Sequence, residues 1–218
     1  KIICDRAFED CKSLRSLVIS NSVTSIGESA FSFCSSLKSI VLPDGITSIG
    51  DETFFGCSSL ASLVIPDGVT SIGNSAFSYC RSLTSITIPD SVTIIGESAF
   101  FYCTSLTNIT LSNNITNIGN EAFYSCSSLT SITIPDSVTS IGSSVFDNCN
   151  NLTVYLENGS TLTSNDLGVD ESKIVSYHRW NEDNLTWKLD ADGTLTISGT
   201  GAMKDYNADY NLSPAYNN

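Results

Sequence analysis

Cysteine stands at positions 11, 34, 57, 80, 103, 126 and 149, each 23 residues from the next. A fixed interval of this length marks one supersecondary unit copied along the chain, because a single compact core does not return one residue type at equal steps. Other columns keep the same step: Phe8, Phe31, Phe54, Phe77, Phe100, Phe123 and Phe146; Leu14, Leu37, Leu60, Leu83, Leu106, Leu129 and Leu152; and glycine from Gly27 to Gly142. Such a chain has to stack. The fold class that follows is an α/β repeat solenoid, rich in β-structure, with short helical or 3₁₀ turns.

Residues 83–105 serve as the model coil. Ile86 and Ile88 alternate with Ser85 and Thr87, the pattern of a half-buried strand. Pro89-Asp90 ends that strand, since proline offers no N–H to a ladder and Asp favours turns. Val92 and Ile95 make a second inward stretch. Gly96 then implies either a positive φ or a close approach to the neighbouring coil. Residues 97–103 read as one helical or 3₁₀ turn, with Ala99, Phe100 and Cys103 facing inward. Stability must be shared, because one coil cannot cover its own apolar face.

The unit LxxIxIPxxVxxIGxxAFxxC resembles the BspA-like leucine-rich repeat, a class of 23-residue repeats. The match runs over about residues 1–156. Departures are few: Cys4 in the glycine column, Thr53 and Val145 in the alanine column, Ser20 and Ser112 in the proline column. The resemblance implies a right-handed superhelix, a cell-surface or secreted location, and adhesion rather than catalysis.

After Leu152 the register slips by one, and Val154 and Leu156 stand in for the two strand isoleucines. Residues 151–177 read as a degenerate terminal coil covering the open end of the core, with Ile174 and Val175 in its last strand. The expected organisation is a solenoid over 1–177 and a β-hairpin segment over 178–218. In the second part, strands at 185–189 and 194–197 flank an Asp-Gly turn. Residues 184–203 resemble a segment that introduces repeat arrays, and Ser213-Pro214-Ala215-Tyr216 begins the stretch that follows it. Because Lys1-Ile2-Ile3 enters in mid-repeat, a monomeric fragment of a longer chain is the expectation.

Charge narrows the function. The net charge is -13, and no Lys or Arg lies between Arg81 and Lys173. Nucleic acid is excluded as a partner, since phosphate binding needs clustered cations. Anionic lipid is disfavoured for the same reason. No apolar run approaches the roughly 20 residues of a membrane span, so direct membrane insertion is not expected.

The cysteine column invites metal or redox chemistry, but its geometry is wrong for both. Zinc needs ligands that converge tetrahedrally, whereas a column holds its Cα–Cβ vectors parallel. Disulfides need Cβ atoms about 3.8 Å apart, whereas stacked strands hold them near 4.8 Å. The thiols are expected to be reduced, buried and inert. Residues 190–193, Asp-Ala-Asp-Gly, have the opening spacing of a calcium loop without its later ligands, and read as a turn. Asn108, Asn114, Asn151, Asn158, Asn184 and Asn211 head Asn-x-Ser/Thr sequons, which matter only where the source glycosylates. His178, the one histidine, has no nucleophile or carboxylate at telling spacing. No catalytic residue, cofactor or metal site is assigned.

The outward strand columns remain. One is Ser16, Ser39, Ser62, Ser85, Asn108 and Ser131; its neighbour is Val18, Val41, Val64, Thr87, Thr110 and Thr133. Strand propensity alone accounts for Val and Thr there. A solenoid sheet also presents such columns as an extended contact surface. The candidate ligand-contact face is therefore Ser62, Val64, Ser85, Thr87, Asn108, Thr110, Ser131 and Thr133. Its expected partner is a host or neighbouring-cell surface or matrix protein or glycan. A passive spacer, or the targeting region of a larger surface enzyme, are the other readings.

Overall fold

The computed structural model of the 218-residue chain describes residues 1–157, 160–182, 185–190 and 194–199. Each 23-residue unit makes one coil of a solenoid of about eight turns. A first row of strands runs through Ser16–Val18, Ser39–Val41, Ser85–Thr87, Asn108–Thr110 and Ser131–Ile134. A second row runs through Ser25–Ile26, Ser48–Ile49, Ser71–Ile72, Ile94–Ile95, Asn117–Ile118 and Ser140–Ile141. Pairing is parallel and joins equivalent residues: Ile72 faces Ile95, Ile95 faces Ile118, and Thr87 faces Thr110. A slip of one residue would turn every isoleucine outward, so burial fixes this register.

The core is a file of identical side chains. Phe31, Phe54, Phe77, Phe100, Phe123 and Phe146 are all buried, with successive ring centroids 5.3 to 5.7 Å apart and planes within 11° of parallel. Centroid spacing above the strand spacing of about 4.8 Å means that the rings stack with an offset, the arrangement their quadrupoles favour. Column leucines, isoleucines and cysteines fill in around them.

The turn segment differs from expectation. Residues 97–102 form a run of turns rather than a helical turn, with Ser98 and Tyr102 left-handed at φ 53° and 56°. The same positions are left-handed in other coils, at Ser29 and Phe33 and at Ser75 and Tyr79. Left-handed residues let alternate amides point along the stack. Ser98, Phe100 and Tyr102 N–H groups donate to the carbonyls of Asn120, Ala122 and Tyr124 at 2.8 to 2.9 Å, while Phe101 and Cys103 bond back to Ser98 and Phe100 at 3.0 and 3.1 Å. A helical turn would keep its bonds inside one coil and leave the neighbour's buried carbonyls unmet. That gain offsets the penalty of about 1–2 kcal/mol for each left-handed residue.

The glycine column serves close approach rather than positive φ. A Cβ on Gly119 would lie 2.5 Å from the Glu97 nitrogen and 2.6 Å from the Gly96 carbonyl carbon, both backbone atoms that cannot swing aside. Gly119→Ala should therefore lose at least about 1–3 kcal/mol by urea unfolding, as overpacked cores do. Gly45→Ala is the control: its nearest neighbour would be the Thr24 methyl at 3.5 Å, and it should stay within about 0.5 kcal/mol of the parent. Equal losses would mean that the coils are not held at the observed spacing.

The last coil is atypical. Thr153–Glu157 pairs with Ser131–Ile134, setting Val154 and Leu156 against Ile132 and Ile134, and both stand-ins are buried. A short helix, Ser164–Leu167, starts at Thr163, whose hydroxyl and amide exchange hydrogen bonds with Asp166. It sets Leu167 into the core. Ile174–Glu182 adds a parallel strand with Ile174 beside Val154. Leu185–Asp190 and Leu195–Gly199 then pair antiparallel, so one sheet passes from the array into the hairpin. Residues 191–193 of the Asp-Gly turn, and Ser213 to Tyr216, lie outside the described residues.

Candidate functional site

The first-strand row places all eight candidate residues, Ser62, Val64, Ser85, Thr87, Asn108, Thr110, Ser131 and Thr133, on the solvent face. Their chain neighbours Leu63, Ile86, Ile109 and Ile132 point into the core. Alternation with period two is enough to produce this sorting. Val18, Val41 and Val64 are 87%, 68% and 82% exposed, so one half of the face is an apolar stripe. The other half is the hydroxyl column of Thr87, Thr110 and Thr133.

The row is not one continuous sheet. Residues 62–65 form no strand, and among the described residues no strand pairing joins 62–65 to Ser85–Thr87, or Asn108–Thr110 to Ser131–Ile134. Each of these two breaks opens a shallow depression. One, of about 410 Å³, is lined by Ser62, Val64, Ser85, Thr87 and Pro89. The other, of about 220 Å³, is lined by Asn108, Thr110, Asn113, Ser131 and Thr133. The eight residues thus fall into two clusters of four.

Threonines that stand just before a strand spend their hydroxyls on the fold, as Thr84 and Thr107 do beside the first row. On the second-strand side, threonines repeat a structural bond: Thr70 Oγ1 donates to the Thr47 carbonyl at 3.1 Å, and Thr116 to that of Thr93 at 3.2 Å. Asx side chains do the same at the next corner, where Asp51 accepts from the Asn74 N–H and Asn74 from the Glu97 N–H at 2.7 and 2.9 Å. Ser62, Ser85, Thr87, Thr110, Ser131 and Thr133 make no intramolecular side-chain bond among the described residues. Their donors and acceptors stay open to an outside partner.

The cysteine column is structural. All eight cysteines are free; Cys4 and Cys11 are exposed and the other six are buried. Each buried thiol also donates, a detail beyond simple packing: Cys57, Cys80 and Cys103 reach the carbonyls of Phe31, Phe54 and Phe77 at 3.1 to 3.2 Å. Burial pushes Cys34 and Cys149 up to about 11 and holds the inner four higher still. A thiol held neutral in this way is neither a nucleophile nor a metal ligand. Among the described residues no group of three or more His, Cys, Asp or Glu converges on a point, and no helix is long and apolar enough to cross a membrane. The His178 side chain and the sequons at Asn158, Asn184 and Asn211 lie outside the described residues.

One surface feature escapes the 23-residue columns. Phe33, Phe55, Tyr79, Phe101, Tyr102 and Tyr124 stand partly exposed along the turn segments and touch from coil to coil. The signal in the sequence is the pair before each column cysteine: Ser32-Phe33, Phe55-Gly56, Ser78-Tyr79, Phe101-Tyr102 and Tyr124-Ser125.

Comparison with known proteins agrees with this architecture. The model of the BspA type leucine rich repeat region matches residues 1–100 and 70–165, in 6 copies. A leucine-rich repeat protein of Bacteroides ovatus is 36% identical and superposes with a TM-score of 0.68, over 71% of this chain and 42% of its own. The leucine rich repeat protein of T. pallidum is 36% identical with a TM-score of 0.67, over 69% and 71% of the two chains. A leucine rich cell surface protein of Faecalibacterium prausnitzii is 35% identical with a TM-score of 0.65, over 89% of this chain and 48% of that one. The chain therefore spans less than half of two of these relatives. No curated protein matches it. A coil built as LxxIxIPxxVxxIGxxAFxxC, stacked in register over residues matched by that model, makes this chain a member of the BspA-type leucine-rich repeat family.

Proposed function

We propose that the chain is a non-catalytic adhesion module of a secreted or surface protein. Its first-strand face engages a protein of a host or neighbouring cell, or of the extracellular matrix. The observation that carries this reading is the contrast between two sets of hydroxyls. Those of Thr70, Thr93, Thr116 and Thr139, just before the second strands, are spent on the fold, while those at Ser62, Ser85, Thr87, Thr110, Ser131 and Thr133 are not. An apolar stripe continuous with an unspent polar one offers both halves of a protein contact: area to bury and groups to orient the partner. The Faecalibacterium relative, described as a cell surface protein, supports the location.

The test is a binding screen against matrix proteins and glycans, using the parent and a triple variant, Thr87→Lys, Thr110→Lys and Thr133→Lys. A bound protein should lose at least about tenfold in affinity, since three desolvated ammonium groups would have to enter the contact. Protein binding that ignores the three lysines refutes the face, and absence of any protein binding favours a passive spacer.

A further inference from the structure

The aromatic strip on the turn segments belongs to neither the core nor the first-strand face. Phe33, Phe55, Tyr79, Phe101 and Tyr124 follow one another across five coils, with centroids 5.0 to 5.6 Å apart. Phe33 is 46% exposed, and the others are half-buried. Between Phe33 and Tyr79 the column position is Gly56, left-handed at φ 69°, so no side chain fills the gap. A notch of about 470 Å³ opens there, lined by Phe33, Phe55, Gly56, Ser58, Tyr79 and Arg81. The Phe55 ring meets Phe33 at 73° and Tyr79 at 68°, and so forms a floor between two walls.

Arg81 completes the notch. Its guanidinium lies 5.4 Å from the Tyr79 centroid, a cation–π contact. It makes no ion pair among the described residues, where the pairs are Arg6–Glu9 and Lys12–Asp10. It is also the one cationic side chain between Lys38 and Lys173 in a chain of net charge -13.

Three properties select a ligand. First, the backbone under the strip is already bonded: Phe33, Gly56 and Tyr79 N–H groups donate to the carbonyls of Phe55, Ser78 and Phe101 at 2.7 to 2.8 Å. An extended peptide therefore has no ladder to join. Second, exposed ring faces repeated at coil spacing suit a polymer of rings with apolar faces, as stacking platforms for single strands do. Third, the overall charge repels a dense polyanion, nucleic acid included, while an isolated guanidinium accepts one carboxylate through paired hydrogen bonds. A chain of neutral sugars with occasional acidic units meets all three requirements.

We propose that the strip from Phe33 to Tyr124 binds a linear polysaccharide of mostly neutral sugars that carries sparse uronic acids. Sugar rings stack on Phe33, Phe55 and Tyr79, and Arg81 holds the carboxylate. The surface is separate from the first-strand face, so the two readings succeed or fail independently.

Calorimetric titration of the 218-residue chain tests this with three probes: glucuronoxylan, the same xylan after reduction of its carboxyl groups, and polygalacturonate. Glucuronoxylan should bind most tightly, and carboxyl reduction should weaken it about tenfold, the scale of one charged hydrogen-bonded contact. Arg81→Gln, an exposed change, should erase the difference between the two xylans. Tyr79→Ser should weaken both by about tenfold or more, as loss of a stacking ring does, with an unchanged circular dichroism melt checking its fold. The three lysine changes on the first-strand face should leave all these values alone. Failure to bind either xylan overturns the proposal, as does binding that ignores Arg81→Gln and Tyr79→Ser, a preference for polygalacturonate, or a strip found to capture a protein but no glycan.

Discussion

Above pH 9 the array should unfold steeply, driven by the six buried thiols of the cysteine column. Each has an ordinary value of 9.0 when exposed, and burial raises it in the fold, to about 11 for Cys34 and Cys149 and further for Cys57, Cys80, Cys103 and Cys126. The sign follows from linkage. Below pH 9 both states hold the protons, and stability is fully present. Above it the unfolded chain releases protons that the native chain keeps, and stability falls until pH passes the folded values. Each thiol contributes a slope approaching about 1.4 kcal/mol per pH unit, so six together outrun a typical stability of about 5–15 kcal/mol within two units. Urea midpoints should stay flat from pH 7 to 8.5 and fall sharply by pH 10. Cys80→Ser with Cys103→Ser keeps a donor for the carbonyls of Phe54 and Phe77 and removes two titrating groups. That double variant should flatten the alkaline limb by about a third of its slope. An unchanged slope would mean that the thiols are not held neutral in the fold. At pH 8, Ellman's reagent should titrate Cys4 and Cys11 quickly and the rest only on unfolding.

Phe77→Ala should be the most damaging single change in the core, at about 3–5 kcal/mol. Its ring is fully buried and stacked on both sides, 5.4 Å from Phe54 and 5.3 Å from Phe100, so truncation opens a cavity that neither neighbour can fill without leaving its own stack. Because coils are stabilised by nearest neighbours, the loss also weakens the coupling between the two halves of the array. Urea unfolding should broaden, and hydrogen exchange should quicken most in the coils beside residue 77. Phe8→Ala is the comparison. Phe8 stacks on Phe31 alone and is only half-buried, so its loss should stay below about 2 kcal/mol. Similar losses at the two sites, with a transition as sharp as the parent's, would rule out shared stability along the file.

Much of this was legible in the sequence because a solenoid turns each position into a column. Ile86 and Ile88 announce a strand by alternation, Pro89-Asp90 announces its end, and Cys103 announces its own burial. The slipped register after Leu152 was readable for the same reason, since Val154 and Leu156 keep the two-residue spacing. The turn segment was less legible. Ala99, Phe100 and Cys103 have helical spacing, yet a short segment takes the conformation that satisfies its neighbours' carbonyls, and that demand comes from the next coil. The ladder breaks beside Val64 and Thr133 have no marker in the sequence at all. The aromatic strip was hidden by its geometry: steps of 22, 24, 22 and 23 residues from Phe33 through Phe55, Tyr79 and Phe101 to Tyr124 break the period. The ring sits on the left-handed column at Phe33 and Tyr79 and one residue before it at Phe55, Phe101 and Tyr124, yet successive rings stay in contact.

The bonds between coils, from the amides of Ser98, Phe100 and Tyr102 to the carbonyls of Asn120, Ala122 and Tyr124, run along the axis of the stack. A tether pulling on the two ends of the array therefore loads them one rung at a time, as tape is peeled, and never all together in shear. Each released coil pays out 23 residues, roughly 80 Å of extended chain, before the next is strained. Pulled from its ends, such an array should yield coil by coil instead of all at once.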